Sequence, residues 1–220
     1  MSAYGIFLAA PPGLEPVLAE EVRAKGFDDP RAVPGGVETR GDWAEVRRAN
    51  LVLRGAGRVL VRIGEFRAFH LAQLDKRARK FPWGDVLRAD VPVRVETVTN
   101  RKSKIYHAGA ATQRVEQAIA DTLGAEIGDG GVTVKLRIDD NLCVFSLDSS
   151  GEPLHRRGHK AFVGKAPMRE TLAAMFLAQC GFDGTGPVVD PMCGSGTFVL
   201  EAAEIAAGLL PGSTRRPGRR

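Results

Sequence analysis

The sequence predicts an α/β protein, and three observations carry that expectation. The first 66 residues alternate strand-like and helix-like patterns in the order βαββαβ. A second stretch flanks a helical pattern with period-two apolar runs. Near the end, "VVDPMCGSGTFVLEAA" takes a short apolar run to an acid, through two glycines, into an apolar helix. A chain of 220 residues with 44% hydrophobic content has room for one large domain or two smaller ones. No uncharged apolar run approaches the ~18 residues of a membrane span. The opening "MSAYGIFLAAPPGLEP" lacks the basic start of a secretory signal.

Each element has its own justification. "YGIFLAA" reads as a strand, and "GLEPVLAEEVRAKGF" sets Leu14, Val17, Leu18 and Val22 on one helical face that ends near Gly26. "RAVPGGVETRGD" reads as two short strands around the Pro34-Gly35-Gly36 turn. Asp42 and Glu45 have capping-box spacing ahead of the helix "WAEVRRANLVL". Val59, Val61 and Ile63 alternate in the closing strand. That order defines a ferredoxin-like domain over 1–66.

From 67 to 154 a second α/β unit is expected. "FHLAQLDKRARKFPW" is a basic helix and "VPVRVETVT" a strand. "AGAATQRVEQAIADTL" is a helix with Ala111, Val115, Ala118, Ile119 and Thr122 on its buried side, and "GVTVKLRIDDNLCVFSLD" is a hairpin turning at Asp140-Asn141. A basic linker, 155–165, leads to a third segment, 166–220. There Pro167 opens a helix that stops at Gly181, "PVVD" is a strand, and Thr197–Leu209 is a helix. Strand, glycine turn and helix make the first βα unit of a doubly wound, Rossmann-like sheet.

The net charge of +5 is unevenly spread. Residues 67–104 carry ten Lys and Arg against four acids, 155–165 four against none, and the last nine residues four arginines. Such patches suit a polyanion like nucleic acid, although a merely solvated basic surface has the same composition. Cys143, Cys180 and Cys193 show neither CxxC spacing nor a His at ligand intervals. No metal site or disulfide framework is therefore expected, and ordinary thiols fit a cytoplasmic protein.

The glycine turn can be sorted by chemistry. A P-loop needs a Lys after its last Gly, and Phe198 follows Gly196-Thr197 instead. A dinucleotide fingerprint needs a small residue where Val199 stands. A nucleophile elbow needs Gly where Cys193 stands. What remains is the acid-plus-GxG loop of a class I S-adenosylmethionine-dependent methyltransferase. Asp190 can balance the ligand's ammonium, while backbone N–H groups at the helix start can take its carboxylate. Gly194 and Gly196 let the backbone approach closely. An ordinary tight strand-to-helix turn has the same short pattern.

Longer runs are more specific. "LHRRGHKAFVGKAPMRETLAAMFL" with "VVDPMCGSGTFVLEAAEIAAG" resembles the THUMP-domain RNA methyltransferases, above all the bacterial family that modifies guanine N2 of 23S ribosomal RNA. "RKSKIYHAGAATQRVEQAI" resembles the end of a THUMP domain, an RNA-binding module, which assigns that role to 67–154. The resemblance implies S-adenosylmethionine as cofactor and ribosomal RNA, or else transfer RNA, as partner. It implies that Asp190, Met192, Cys193, Gly194, Ser195, Gly196 and Thr197 form the cofactor loop. Met168 and Glu170 lie in the helix start, Ala166–Thr171, that the family places beside the cofactor. Arg101, Lys102, Lys104, His107, Arg156, Arg157 and Lys160 are the expected phosphate contacts, and Tyr106 a base-stacking residue.

One departure from the family stands out. Its [ND]PP[FYW] motif, which holds the target amine, occurs nowhere in the 220 residues, so no catalytic residue is assigned. The acid expected on the cofactor ribose about 20 residues after the loop is missing too, and past Pro211 the sequence is "GSTRRPGRR". The sequence reads as a shortened methyltransferase that is inactive alone. Two alternatives stay open: a stand-alone RNA-binding protein with a vestigial methyltransferase start, and an adenine-N6 nucleic-acid methylase.

Overall fold

The structure, a computed structural model, describes residues 3–158 and 167–213. Within them the chain forms two compact units, one comprising 3–60 with 149–213 and the other 61–148.

The first unit begins with β1 (Tyr4–Ala9), α1 (Glu15–Ala24), β2 (Asp28–Val33), β3 (Gly36–Gly41) and α2 (Trp43–Val52), and contains the start of β4 (Val59–Arg67). Its strands are ordered β2-β3-β1-β4. β1 pairs antiparallel with β3, setting Ile6 opposite Thr39 and Leu8 opposite Val37. Those four side chains are buried, as are Leu18, Val22, Val46 and Ala49 from the two helices, so the period-two and period-3.6 faces meet in one core. Pro30 sits on β2, whose pairing with β3 shifts register between Asp28 and Arg31. An edge strand tolerates the missing N–H. Gly36 has no substitute, because a Cβ there would lie 2.2 Å from the Leu8 carbonyl oxygen.

Asp42 caps α2 by accepting the N–H groups of Ala44 (2.8 Å) and Glu45 (3.1 Å). The expected box is only half formed. Glu45 turns to the Arg48 guanidinium at 2.6 and 2.8 Å, a charge-assisted contact that outcompetes a bond to the Asp42 N–H. Asp42→Ala should cost about 1 kcal/mol, measured as a lower denaturation midpoint with an unchanged slope.

The same unit contains α5 (Glu170–Gln179) and α6 (Thr197–Ala206). Both end in Schellman motifs. Gly181 (φ +72°) and Gly208 (φ +65°) adopt the left-handed conformation, while Phe182 N–H bonds Leu177 C=O and Leu209 N–H bonds Glu204 C=O, each at 3.0 Å. The expected end of α6 at Leu209 is thus corrected to Ala206, since Gly208 closes the helix. α5 starts at Glu170 rather than at Pro167, because Arg169 is extended (ψ 138°). A larger correction concerns "PVVD". Residues 187–190 form no strand, and Val189 is 86% exposed. A parallel strand satisfies its backbone only through neighbours, and no described strand lies beside this one.

The second unit holds the rest of β4, then α3 (Leu71–Ala78), a 3-10 turn (Trp83–Asp85), β5 (Val93–Thr99), α4 (Ala108–Leu123), β6 (Val132–Asp139) and β7 (Leu142–Asp148), with strand order β4-β7-β6-β5. α4 is the crossover between the parallel strands β5 and β6. β6 and β7 form the expected hairpin, with Asp140 (φ +46°) and Asn141 (φ +61°) both left-handed at the turn. Thr122 departs from expectation: it is exposed and its hydroxyl bonds back to the Ala118 carbonyl at 2.7 Å. Phe66, Phe81, Trp83 and Phe145 cluster with ring centroids 4.4–6.5 Å apart. No described helix is long and apolar enough to cross a membrane.

Candidate functional site

Gly196 is the N-cap of α6 at φ +70°, and Gly194 lies at φ +52°. Two left-handed residues in three is a geometry that favours glycine. The turn closes with Gly196 N–H on Cys193 C=O at 2.7 Å, and α6 begins with Leu200 N–H on Gly196 C=O at 2.9 Å. Thr197, Phe198 and Val199 therefore point N–H groups out of the helix start, and no side chain caps it. A Cβ built on Gly196 meets nothing within 4 Å, so the space before these donors is open. α5 likewise has no side-chain cap. The buried Thr197 hydroxyl reaches the Met168 carbonyl at 3.4 Å, which joins the two uncapped helix starts. Sequence reasoning placed Met168, Glu170 and Gly194–Thr197 in one site, and the fold brings these segments together.

Asp190 accepts the Met192 N–H at 3.0 Å through Oδ1, which turns the chain into the loop. Met192 (89% exposed) and Cys193 face outward. Cys143 is the opposite case: burial pushes its thiol up to about 11. At pH 8, iodoacetamide should label Cys180 and Cys193 in the native protein and leave Cys143 unmodified until denaturant is added; peptide mass spectrometry checks this.

The basic residues of 155–158 divide sharply. Arg156 is exposed, whereas Arg157 is 2% exposed. Its guanidinium pairs with Glu201, lies 3.4 Å from Glu204, and donates to the Arg54 carbonyl at 3.0 Å. Arg54 joins the same cluster, 2.8 Å from Glu201 and 3.4 Å from Glu204. The expectation that Arg157 contacts phosphate is corrected: this charge is already spent inside the protein. Arg54, Glu201 and Glu204 were missed. The available signal was a pair of acids three apart on the otherwise apolar "TFVLEAAEIA", which places both on one face.

A cleft of about 470 Å³ opens beside the start of α5, lined by His155, Arg156, Met168, Arg169 and Glu170 among others. Burial, followed by the charge of Arg169, holds His155 below its usual range. Lys160 lies outside the described residues.

In the second unit Arg101, Lys102, Lys104, Tyr106 and His107 are all exposed, and no ion pair involves these three cations among the described residues. Tyr106 is 64% exposed and its ring lies 4.2 Å from that of His107. Lys104 stands over the exposed Phe69 ring at 5.6 Å. The backbone of this loop is fixed from beneath. Asn100 donates to Asp139 and accepts from Lys102 N–H (3.1 Å) and Ser103 Oγ (3.0 Å), while Asn141 accepts Lys104 N–H at 2.9 Å. Arg137, then Asn100, hold the Asp139 carboxyl below its ordinary range. Its contribution is present above the unfolded carboxylate value and is lost as pH falls through the lower folded one.

Two families match the chain: the RlmL ferredoxin-like domain over residues 5–60 and the RMKL-like methyltransferase domain over residues 157–219. A ribosomal RNA large subunit methyltransferase K/L of Syntrophotalea carbinolica is 38% identical to this chain over 221 residues, covering 95% of it and 31% of the relative. The chain thus spans about a third of that relative's length. A crystal structure from Listeria monocytogenes described as a predicted N6-adenine-specific DNA methylase superposes with a TM-score of 0.90 at 31% identity, over 98% of this chain and 58% of that one. SMU.472, a putative methyltransferase complexed with SAH, gives 0.89 at 25% identity, over 99% and 59%.

Proposed function

We propose that the chain holds S-adenosylmethionine at the Asp190–Thr197 loop and recruits RNA through residues 67–154, a THUMP-like module, for methyl transfer to a base of RNA. The substrate of this reading is large-subunit ribosomal RNA at guanine N2, in the cytoplasm. The observation that carries it is the junction of two uncapped helix starts at a doubly left-handed glycine turn. Bound there, S-adenosylmethionine supplies a sulfonium methyl for attack by an exocyclic amine. The residues fit such a ligand. The N–H groups of Thr197 to Val199 take a carboxylate, which also complements the positive end of α6. Asp190 offers Oδ2 to the ammonium, and the open face of Gly196 admits the ligand's body. No residue of the 220 is assigned the chemical step, and the chain by itself is expected to bind without transferring methyl.

For RNA, exposed cations lie beside an exposed aromatic pair. Phosphate contacts give salt-sensitive affinity and stacking selects unpaired bases. The SAH complex of SMU.472 favours the cofactor half of this reading, and the ribosomal RNA methyltransferase relative the substrate half. Filter binding on a ribosomal RNA fragment tests the RNA half. Lys102→Ala and Lys104→Ala should each lower the slope of log affinity against log salt by about 0.7. Tyr106→Ala should cost about 1–3 kcal/mol without changing that slope. Equal affinity for duplex DNA of the same length would overturn the RNA assignment in favour of a DNA methylase.

A further inference from the structure

The cluster around Arg157 is deeply buried: the Arg157 and Glu201 side chains are each 1% exposed. Its members come from four places in the sequence. Glu201 and Glu204 lie on α6, with Glu201 five residues beyond Gly196. Arg54 follows α2, and its side chain also donates to the Leu209 carbonyl just past α6. Arg157 belongs to the basic segment. Beneath them Glu21 of α1 accepts the N–H groups of Arg54 (2.6 Å) and Gly55 (2.8 Å), fixing the backbone that presents Arg54. Gly55 leaves no room for a side chain, since a Cβ would lie 2.9 Å from Met175 Cγ of α5. The helix that opens at the glycine turn is therefore fastened by directed hydrogen bonds to the ferredoxin-like residues.

We infer that Arg157 and Glu201 are positioning residues for the cofactor loop, through which the ferredoxin-like residues set the register of α6 and hence the direction of its first-turn N–H groups. This rests on the cofactor reading proposed above. Arg157 is suited to it because the planar guanidinium spans the Glu201 carboxylate and the Arg54 carbonyl at once, a fork that Lys does not reproduce. Arg156 points outward and Arg157 inward, so one basic dipeptide serves two purposes. A buried ion pair is weak evidence of stability, because apolar residues of similar volume often do as well. Directionality is what an apolar pair cannot supply.

That difference defines the experiment, made on the full chain. Hydrogen exchange of the peptides covering 196–206 and the affinity for SAH are measured for wild type, Arg157→Lys, Arg157→Gln, and the double variant Arg157→Met with Glu201→Leu. The double variant guards against a single variant that fails to fold. The double variant should melt like wild type, yet exchange about tenfold faster over 196–206 and bind SAH about tenfold more weakly. Arg157→Lys should fall between the two, and α4 exchange should not change. A double variant equal to wild type in both exchange and SAH affinity would show that the pair only fills space, and the inference fails. If wild type itself takes up no SAH, the cofactor reading fails instead, while the exchange of 196–206 still decides whether the pair sets α6.

Discussion

Glu201→Ala is expected to destabilise the unit built from 3–60 and 149–213 by about 3–5 kcal/mol, the cost of leaving a buried charge without its partner. Arg157 would then lose its Glu201 carboxylate and keep Glu204 at 3.4 Å, and Arg54 would lose its 2.8 Å contact. Glu21 adds to the sensitivity. Burial pushes its carboxyl above the usual range, against the pull of the Arg54 and Gly55 N–H groups. A raised carboxyl favours the fold below its unfolded value and loses that contribution as pH rises through its folded value. The stability left to the variant should thus shrink as pH rises through the folded value of Glu21. Urea unfolding followed by tryptophan emission reads it directly. Of the two tryptophans, Trp43 lies in this unit and Trp83 in the other. A change below about 1 kcal/mol would place the pair with exposed salt bridges.

Trp83→Ala should cost the second unit about 3–5 kcal/mol. Trp83 is 2% exposed, packs 4.4 Å from Phe81 and edge-on to Phe145 at 5.4 Å, and donates Nε1–H to the Ala78 carbonyl at 2.8 Å. Truncation removes the largest fully buried side chain among the described residues, leaves a cavity, and takes from the Ala78 carbonyl the shorter of its Trp83 and Phe81 hydrogen bonds. Hydrogen exchange should accelerate across α3, α4 and β7. Because the basic loop rests on Asp139 and Asn141 of the same hairpin, RNA affinity should weaken at temperatures where this unit has begun to open. Unchanged exchange in α4 would mean that the aromatic cluster is not the core of this unit.

Some of this was legible in the sequence for physical reasons. Local signals survived: the amphipathic faces of α1 and α4, the Asp42 cap, the Asp140-Asn141 turn, and Gly181 past α5 each act through neighbours in the chain. The glycine turn was legible because left-handed backbone favours glycine, which stands at both Gly194 and Gly196. What the sequence hid depends on distant partners. Residues 187–190 have the composition of a strand, but a strand forms only against another. Arg157 reads like any solvated arginine in "HRRGHK", and nothing local says that Glu201, 44 residues later, lies against it. The half-formed box at Asp42 has the same origin, since Arg48 competed for Glu45.

The central claim is that the Asp190–Thr197 turn is a cofactor loop in an RNA-recruiting chain. The measurement that tests it most directly is calorimetric titration of the full chain with SAH, alongside Asp190→Ala and Gly196→Val. The account predicts saturable binding at one site per chain, weakened by Asp190→Ala and abolished by Gly196→Val, because valine is strained at φ +70° and its side chain fills the open face. Absence of binding by a wild-type chain whose α6 amides are protected from exchange would contradict it, since the loop would then be formed and the ligand refused.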